Sequence, residues 1–279
     1  MGKTKCYEYE NKRNYNRKEL ETNYVCSNKE INSVKLEGYN LIKCVSFDFD
    51  RTISHVTPLT HHFVPKLLAQ KGINVSVEQF IQHSISLRRN LPEHLVDRFS
   101  KYGTLPKAER EQFLKEYNRA RVDMIDLTYS GDDLEELKNW LVEQIFLTQQ
   151  KILYDDVVEI IIKLKQLDKK IYILSGNHSD GITEILDQAG ILDSFEEIIT
   201  VDKYHPEKID NYQVLLDMSQ LKPEEILHIG DDVITDGLGP MKHNINVLII
   251  RREKQMVFFE DPDHNFKTIS NLQELFSFL

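Results

Sequence analysis

Two aspartates with a single residue between them follow an apolar run early in the chain. Leu41-Ile42-Lys43-Cys44-Val45-Ser46-Phe47 has the length and composition of a strand, and Asp48-Phe49-Asp50-Arg51-Thr52 comes directly after it. Carboxylates just past the carboxyl end of a buried strand stand where open α/β sheets bind ligands. The pattern recurs. Ile171-Tyr172-Ile173-Leu174 stops at Ser175-Gly176-Asn177, Glu197 to Val201 is followed by Lys203, and Glu225 to Ile229 stops at Gly230-Asp231-Asp232 with Asp236 close behind. Any one of these is read as readily as a solvated turn or a surface lysine. In a parallel sheet, however, all four strand ends meet on one rim, which makes a single site of them.

Asp48, Asp231 and Asp236 would repel one another there by about 4 kcal/mol for a pair at 4 Å and an effective dielectric near 20. Something positive must therefore be bound. An all-oxygen carboxylate set suits a hard cation, magnesium above others, because magnesium habitually combines one or two carboxylates with substrate phosphate. Ser175 and Lys203 offer a hydroxyl and a compact positive charge for a phosphoryl group, and Gly176 lets the backbone approach the anion. Thr52 adds a second hydroxyl to the phosphate-binding set. A carboxylate can attack phosphorus and divide one difficult displacement into two easier ones. The other carboxyl must then give and take a proton, and the spacing of Asp48 and Asp50 alone leaves open which of the two attacks.

Strands alternating with helices must position these residues. From Asp155 onward the pattern is helix Val157 to Leu167, strand Ile171 to Leu174, helix Asp180 to Ala189, strand Glu197 to Val201 and helix Ile209 to Met218. Strands Glu225 to Ile229 and Asn246 to Ile250 follow, then a short helix Asn271 to Phe278. This is an α/β class, a Rossmann-like parallel sheet with helices on both faces and right-handed crossovers. Between the first strand and this series, residues 56–149 read as helices only: Leu59 to Lys71, Val77 to Arg89, Pro92 to Tyr102, Lys107 to Val122 and Asp132 to Gln149. Gly72, Gly103 and Gly131 mark turns between them. So many consecutive helices exceed one crossover and form an inserted all-helical domain. The organisation expected is a polar N-terminal extension over 1–40, a core built from 41–55 and 150–279, and the helical insertion over 56–149, with hinges near Ser54 to Pro58 and Thr148 to Leu153.

The chain of 279 residues is 41 % hydrophobic, enough for a sizeable core, and carries a net charge of −10. That charge argues against nucleic acid as a partner, while a local basic pocket for a small phosphate ester is compatible with it. No run of about 18 apolar residues suggests a membrane span, and the polar first residues hold no signal-peptide core. The three cysteines, Cys6, Cys26 and Cys44, lack disulfide-framework or zinc spacing. A cytoplasmic protein with reduced thiols and no membrane partner is expected.

The four segments Asp48 to Thr52, Leu174 to Asn177, Lys203-Tyr204-His205-Pro206 and Gly230 to Asp236 resemble, in order, the four motifs of the haloacid-dehalogenase-like phosphatase superfamily. The resemblance spans residues 41–279 in layout and implies a helical cap over the site. It implies Asp48 as nucleophile and Asp50 as general acid and base, with Ser175 and Lys203 as phosphate ligands, so that the pKa of Asp50 is expected to be raised relative to Asp48. Magnesium would be held by Asp48, the backbone carbonyl of Asp50, and Asp231 with Asp236 in support. Two positions depart from the pattern, Arg51 where many members have Gly and Tyr204 where many have Pro; Arg51 reads as an exposed loop arginine. The second aspartate implies phosphoryl chemistry rather than dehalogenation. The function expected is magnesium-dependent hydrolysis of a small phosphorylated metabolite through an aspartyl-phosphate. A phosphomutase or phosphotransferase would use the same core, and a non-catalytic binding protein is the third reading. His61, His62, Arg88 and Arg89 read as surface or half-buried helix residues, His228 as a packed core histidine, and Asp232 as loop or supporting residue.

Overall fold

A computed structural model describes residues 41–125, 132–252 and 266–279. The expected extension over 1–40, with Cys6 and Cys26, and the turn at Gly131 lie outside the described residues. The strands are β1 (Cys44–Phe47), β2 (Ser54–Thr57), β3 (Gln150–Leu153), β4 (Lys170–Ser175), β5 (Glu197–Thr200), β6 (Ile226–Gly230), β7 (Asn246–Ile250) and β8 (Thr268–Ile269). Six of them form one parallel sheet in the order β5-β4-β1-β6-β7-β8. The first strand of the chain therefore lies in the middle, flanked by the strands that carry Ser175 and Asp231.

Among the described residues the longer helices are α1 (Thr60–Gln70), α2 (Val77–Arg89), α3 (Glu93–Ser100), α4 (Lys107–Asp123), α5 (Asp132–Thr148), α6 (Val157–Gln166), α7 (Ser179–Gln188) and α8 (Asn211–Ser219). Strand β1 is buried along its whole length, and its alternation sorts the two faces of the sheet. Val45 and Phe47 pack with Ile160, Ile161 and Leu164 of α6 and Ile182 and Leu186 of α7. Cys44 faces Tyr212 and Leu215 of α8. Both faces are covered, as an all-parallel sheet requires. Truncating Phe47 to Ala would cost about 3–5 kcal/mol through the cavity it leaves. The register also sets Ser46 opposite His228, whose Nδ1 lies 2.9 Å from the Ser46 hydroxyl.

Helices α1 to α5 enclose a core of their own, with Val64, Leu68, Phe80, Leu141 and Ile145 at its centre and Trp140 packed against it. Helix α2 starts where a capping box fixes it: Ser76 Oγ accepts from Gln79 N at 3.1 Å, and Gln79 Oε1 accepts from Ser76 N at 2.8 Å. The expected helix through Tyr102 stops at Ser100, and Tyr102–Thr104 is a separate 3₁₀ turn. That turn touches the sheet. A Cβ on Gly103 would lie 2.1 Å from the Gly176 carbonyl oxygen and 2.3 Å from Val201 Cγ2, so the approach requires glycine. Arg110 adds a second tie, its Nη2 2.9 Å from Asp180 Oδ2.

Other departures from the sequence reading concern short elements. The two connections to the helical segment are not loops but an antiparallel ribbon, β2 with β3, running from Ser54↔Leu153 to Thr57↔Gln150. Strand β8 adds a sixth member to the sheet. The chain's last turns, Leu272–Phe278, are 3₁₀ rather than α, and Val233–Leu238 form a π-helix.

Candidate active site

Asp48 leaves the end of β1 with its amide donating to the Ile229 carbonyl at 2.8 Å, so the sheet ladder itself aims its side chain. The carboxyl is buried. Its Oδ1 accepts from the Lys208 ammonium and its Oδ2 from the Thr52 hydroxyl at 3.3 Å. Lys208 Nζ also donates to Asp236 Oδ1 at 2.5 Å, bridging the two aspartates. Asp48, Asp231 and Asp236 each offer an oxygen within 4.8 Å of the others. The convergence expected of the strand ends is thus present for these three carboxylates.

The turn after β6 explains how Asp231 and Asp236 reach the cluster. Asp232 caps the π-helix, its Oδ1 accepting from Ile234 N at 2.9 Å and Thr235 N at 3.0 Å. The helix then swings Asp236 back toward β6, where Oδ2 accepts from Asp232 N at 3.1 Å. A Cβ on Gly230 would lie 2.3 Å from Asp236 Cγ, so this return also needs glycine. His228, fully buried as expected, presents Nε2 to Asp236 Oδ1 at 3.3 Å from below. Arg51 pairs with Asp231 at 2.5 Å instead of standing free on the loop, and its φ of 62° is the left-handed conformation that favours glycine there.

One candidate is replaced. Lys203 is not at the cluster; its Nζ lies 3.6 Å from Glu197 and the side chain is 42 % exposed. The lysine at the site is Lys208, buried in the first turn of the 3₁₀ segment that leads into α8. Lys203 stands in the turn immediately after β5, whereas the helix start five residues on carries Lys208 over Asp48. Ser175 is buried at the end of β4, its hydroxyl accepting from Asn177 N at 3.2 Å. The β1–β4 register, with Phe47 opposite Ile173, brings the end of β4 and Ser175 to the same rim that Asp48 leaves from. Gly176 lies beside the Lys208 side chain.

Asp50 occupies a different environment, half-buried, with Lys151 Nζ at 2.7 Å, Asn177 Nδ2 at 2.7 Å and Ser54 Oγ at 3.2 Å. Burial alone would raise its pKa, but the Lys151 charge and the three donors outweigh burial and hold it below the usual carboxylate range. The expected ordering of the two aspartates is therefore reversed in the free protein. Burial pushes Asp48 well up, Asp236 and Asp231 add to the rise, and Lys208 opposes it. Asp231 is likewise raised, to about 6, by burial against the pull of Arg51. Burial would raise Asp236 too, but Lys208 and His228 win and hold it low; the carboxylates in turn drive Lys208 further up despite its burial.

These charges decide whether a cation fits. Three clustered carboxylates face two cations, Lys208 and Arg51, and burial, with a further push from neighbouring carboxylates, drives Asp48 and Asp231 toward protonation. An added hard cation on Asp48 and Asp231 opposes that drive, and the donors are all oxygen. Asp236 is the most heavily engaged of the three, meeting Lys208, His228 and the Asp232 amide, so it supports the others.

The same residues fall within the stretch a family model matches. The model for haloacid dehalogenase-like hydrolases matches residues 42–239. The chain belongs to this family. As a haloacid dehalogenase-like hydrolase it shares its fold with a Bacillus subtilis HAD-hydrolase solved with magnesium, at 17 % identity and a TM-score of 0.53, over 85 % of this chain and 97 % of that one. It is also similar to the L-2-haloacid dehalogenase of Xanthobacter autotrophicus, at 18 % identity and a TM-score of 0.50, over 84 % and 96 % of the two chains. A predicted phosphoglycolate phosphatase of Haemophilus somnus 129pt matches at 14 % identity and a TM-score of 0.49, over 85 % and 97 %. No curated protein matches. Among the described residues of this HAD-like hydrolase, no helix is long and apolar enough to cross a membrane.

Sequence reasoning missed Lys208, Lys151 and the role of Asn177. Asn177 was visible as the residue after Ser175-Gly176. Lys151 had no local signal, because its partner is 101 positions earlier in the chain and the ribbon alone brings them together.

Proposed function

We propose that this HAD-like hydrolase is a magnesium-dependent phosphomonoesterase that acts on a small phosphorylated metabolite, with residues 56–149 as a cap over the site. The observation that carries the reading is Asp50, a second carboxyl anchored by three donors beside the first. A departing halide needs no proton, whereas an alkoxide does, and Asp50 is the group available to supply it. Asp48 attacks phosphorus, the ester P–O bond breaks, and the Asp50 proton goes to the leaving oxygen. Water then attacks the aspartyl-phosphate, giving its proton to Asp50, and phosphate departs with the Asp48 carboxylate restored.

Asp50 begins ionised in the free protein. The dianionic phosphate arriving beside it raises its pKa and opposes the hold of Lys151, which loads the proton the first step uses. Lys208 and the Ser175 hydroxyl bind phosphoryl oxygens, with Gly176 leaving room for the backbone amides, and this positioning supplies most of the catalysis. Magnesium would be held by Asp48, Asp231 and the Asp50 carbonyl with Asp236 in support, and when bound it would neutralise phosphoryl charge. Residues 102–105 and Arg110 rest on the core beside Gly176 and exclude water from one side. The test is turnover of an aryl phosphate by metal-stripped protein: none is expected in excess chelator, and magnesium should restore it. Full turnover in chelator, or release of halide but never phosphate, would overturn the reading.

A further inference from the structure

Five arginines end on a carboxylate: Arg51 on Asp231, Arg98 on Glu116, Arg110 on Asp180, Arg119 on Asp123 and Glu135, and Arg252 on Asp156. Arg121, in the last turn of α4, does not. Its Nη2 donates to the Ser84 hydroxyl at 3.2 Å, its Nη1 reaches Asn118 Oδ1 at 3.5 Å, and the guanidinium lies 5.2 Å from the Phe80 ring centroid. Its Nε is buried with no acceptor among the described residues. Ser84 gives its own proton to the Phe80 carbonyl at 2.9 Å, so its oxygen is committed to receiving from Arg121 and holds the fork in place. Burial pushes the guanidinium below its usual range, opposed only weakly by Tyr117. The group nevertheless keeps its proton, and neutral partners leave a desolvated positive charge uncompensated.

The position of this charge is informative. His61, in the first turn of α1 and buried, lies within electrostatic reach of both Arg121 and Arg51, and Arg51 holds Asp231. His61 thus feels two positive charges, one held at the carboxylate cluster by Asp231 and one on Arg121, which has no carboxylate partner among the described residues. Among the described residues Arg51, Arg98, Arg110, Arg119 and Arg252 have their charge answered by a carboxylate, and Arg121 does not. A planar fork with a spare Nε–H is suited to an oxyanion, which it binds through two parallel hydrogen bonds.

We propose that Arg121 is a specificity-determining residue that pairs with a second anionic group, a carboxylate or a second phosphate, on the part of the substrate that is not transferred. The inference rests on the phosphomonoesterase reading and narrows it: the substrates are phosphorylated hydroxy acids or bisphosphates, and esters of neutral alcohols are poor ones. Remote binding energy of this kind raises kcat/KM for substrates that carry the second charge.

The experiment compares ω-carboxyalkyl phosphates of two to five carbons with their neutral primary amides, and alkane-α,ω-diyl bisphosphates with the matching alkyl monophosphates, all with magnesium. The wild type should prefer the charged member of at least one pair by about tenfold or more in kcat/KM, the size expected for a charged hydrogen bond. Whether the carboxylate or the bisphosphate series shows the preference identifies the anion. In Arg121→Gln that ratio should collapse toward one, and in Arg121→Lys it should survive in part. The ratio is the readout, so a general loss of activity does not mimic the result, and Ser84→Ala provides a second variant that lowers the ratio if Arg121→Gln fails to fold. A wild type that turns over aryl phosphate but does not discriminate within any pair, or a ratio unchanged in Arg121→Gln, overturns the inference alone. Failure to turn over any phosphate overturns the phosphomonoesterase reading and this inference with it.

Discussion

The two aspartates of the first loop are two residues apart, yet they are anchored by different regions of the molecule. Asp48 is held by the rim of the parallel sheet: Lys208 ahead of α8, Thr52 in its own loop, and Asp236 from the turn after β6. Asp50 is held by the β2–β3 ribbon, through Ser54 and Lys151, with Asn177 from the sheet. The ribbon is also the only covalent route to helices α1 to α5. The geometry of Asp48, the proposed nucleophile, is thus a property of the core, while the surroundings of Asp50, the proposed proton donor, are shared with the ribbon that leads to helices α1 to α5. A displacement of those helices would be felt first at Asp50.

The sharpest break in the comparison is substitution of each carboxyl in turn. Asp48→Asn should lose on the order of 10⁴–10⁶-fold in kcat, as loss of a nucleophile does elsewhere, and should trap no phosphoenzyme on acid quench. Asp50→Asn should lose about 10²–10⁴-fold, with a smaller loss for aryl phosphates whose leaving groups need no proton, and the aspartyl-phosphate should accumulate. Label recovered on Asp50 in the Asp48→Asn protein would reverse the assignment.

Next in size is the lysine of the rim. Lys208→Met should reduce kcat/KM by about 10²–10³-fold. It should also destabilise the fold by about 3–5 kcal/mol, because it strips the counter-charge from buried Asp48 and Asp236. Lys203→Met should leave both turnover and melting temperature near wild type. Equal effects at the two positions would mean that the rim is not where phosphate is held.

The smallest effect tests the ribbon. Lys151→Met should cost roughly tenfold, short of the ~10²-fold that a 1 Å misplacement brings. Because Lys151 lowers the Asp50 pKa, its removal should move the limb of the pH–rate profile that reports Asp50 to higher pH. A limb that stays in place would show that Asp50 is insulated from the ribbon.

How far the sequence could be read follows the same division. The rim is built from strands that are apolar throughout and end in charge, so β1, β4, β6 and β7, and with them Asp48, Ser175 and Asp231, are visible in local pattern. Helix α2 is visible to the residue, because Ser76 and Gln79 announce its start. The ribbon is not visible: Ser-His-Val-Thr and Gln-Lys-Ile-Leu are short, and only pairing across the whole helical insertion makes them strands. Lys151 is hidden for that reason. Lys208 is hidden for another: Lys203 is nearer the strand end, and only the path of the chain into α8 shows which lysine turns inward. The π-helix conceals how Asp236 returns, although its carboxylate was legible as one of a converging set.

Gly103 gives the contact between helices and sheet an unusual vulnerability. Where the Tyr102–Thr104 turn meets the Gly176 carbonyl there is no room for a methyl group, and nothing flexible on the opposing side could yield to one. A side chain at this position would act as a doorstop, wedged between two otherwise intact halves. Each half has its own core, and on the proposed reading of residues 56–149 as a cap, that cap could no longer close over the carboxylates. One carbon atom on the helical side of the contact would thus press directly on the turn that carries Ser175 and Gly176.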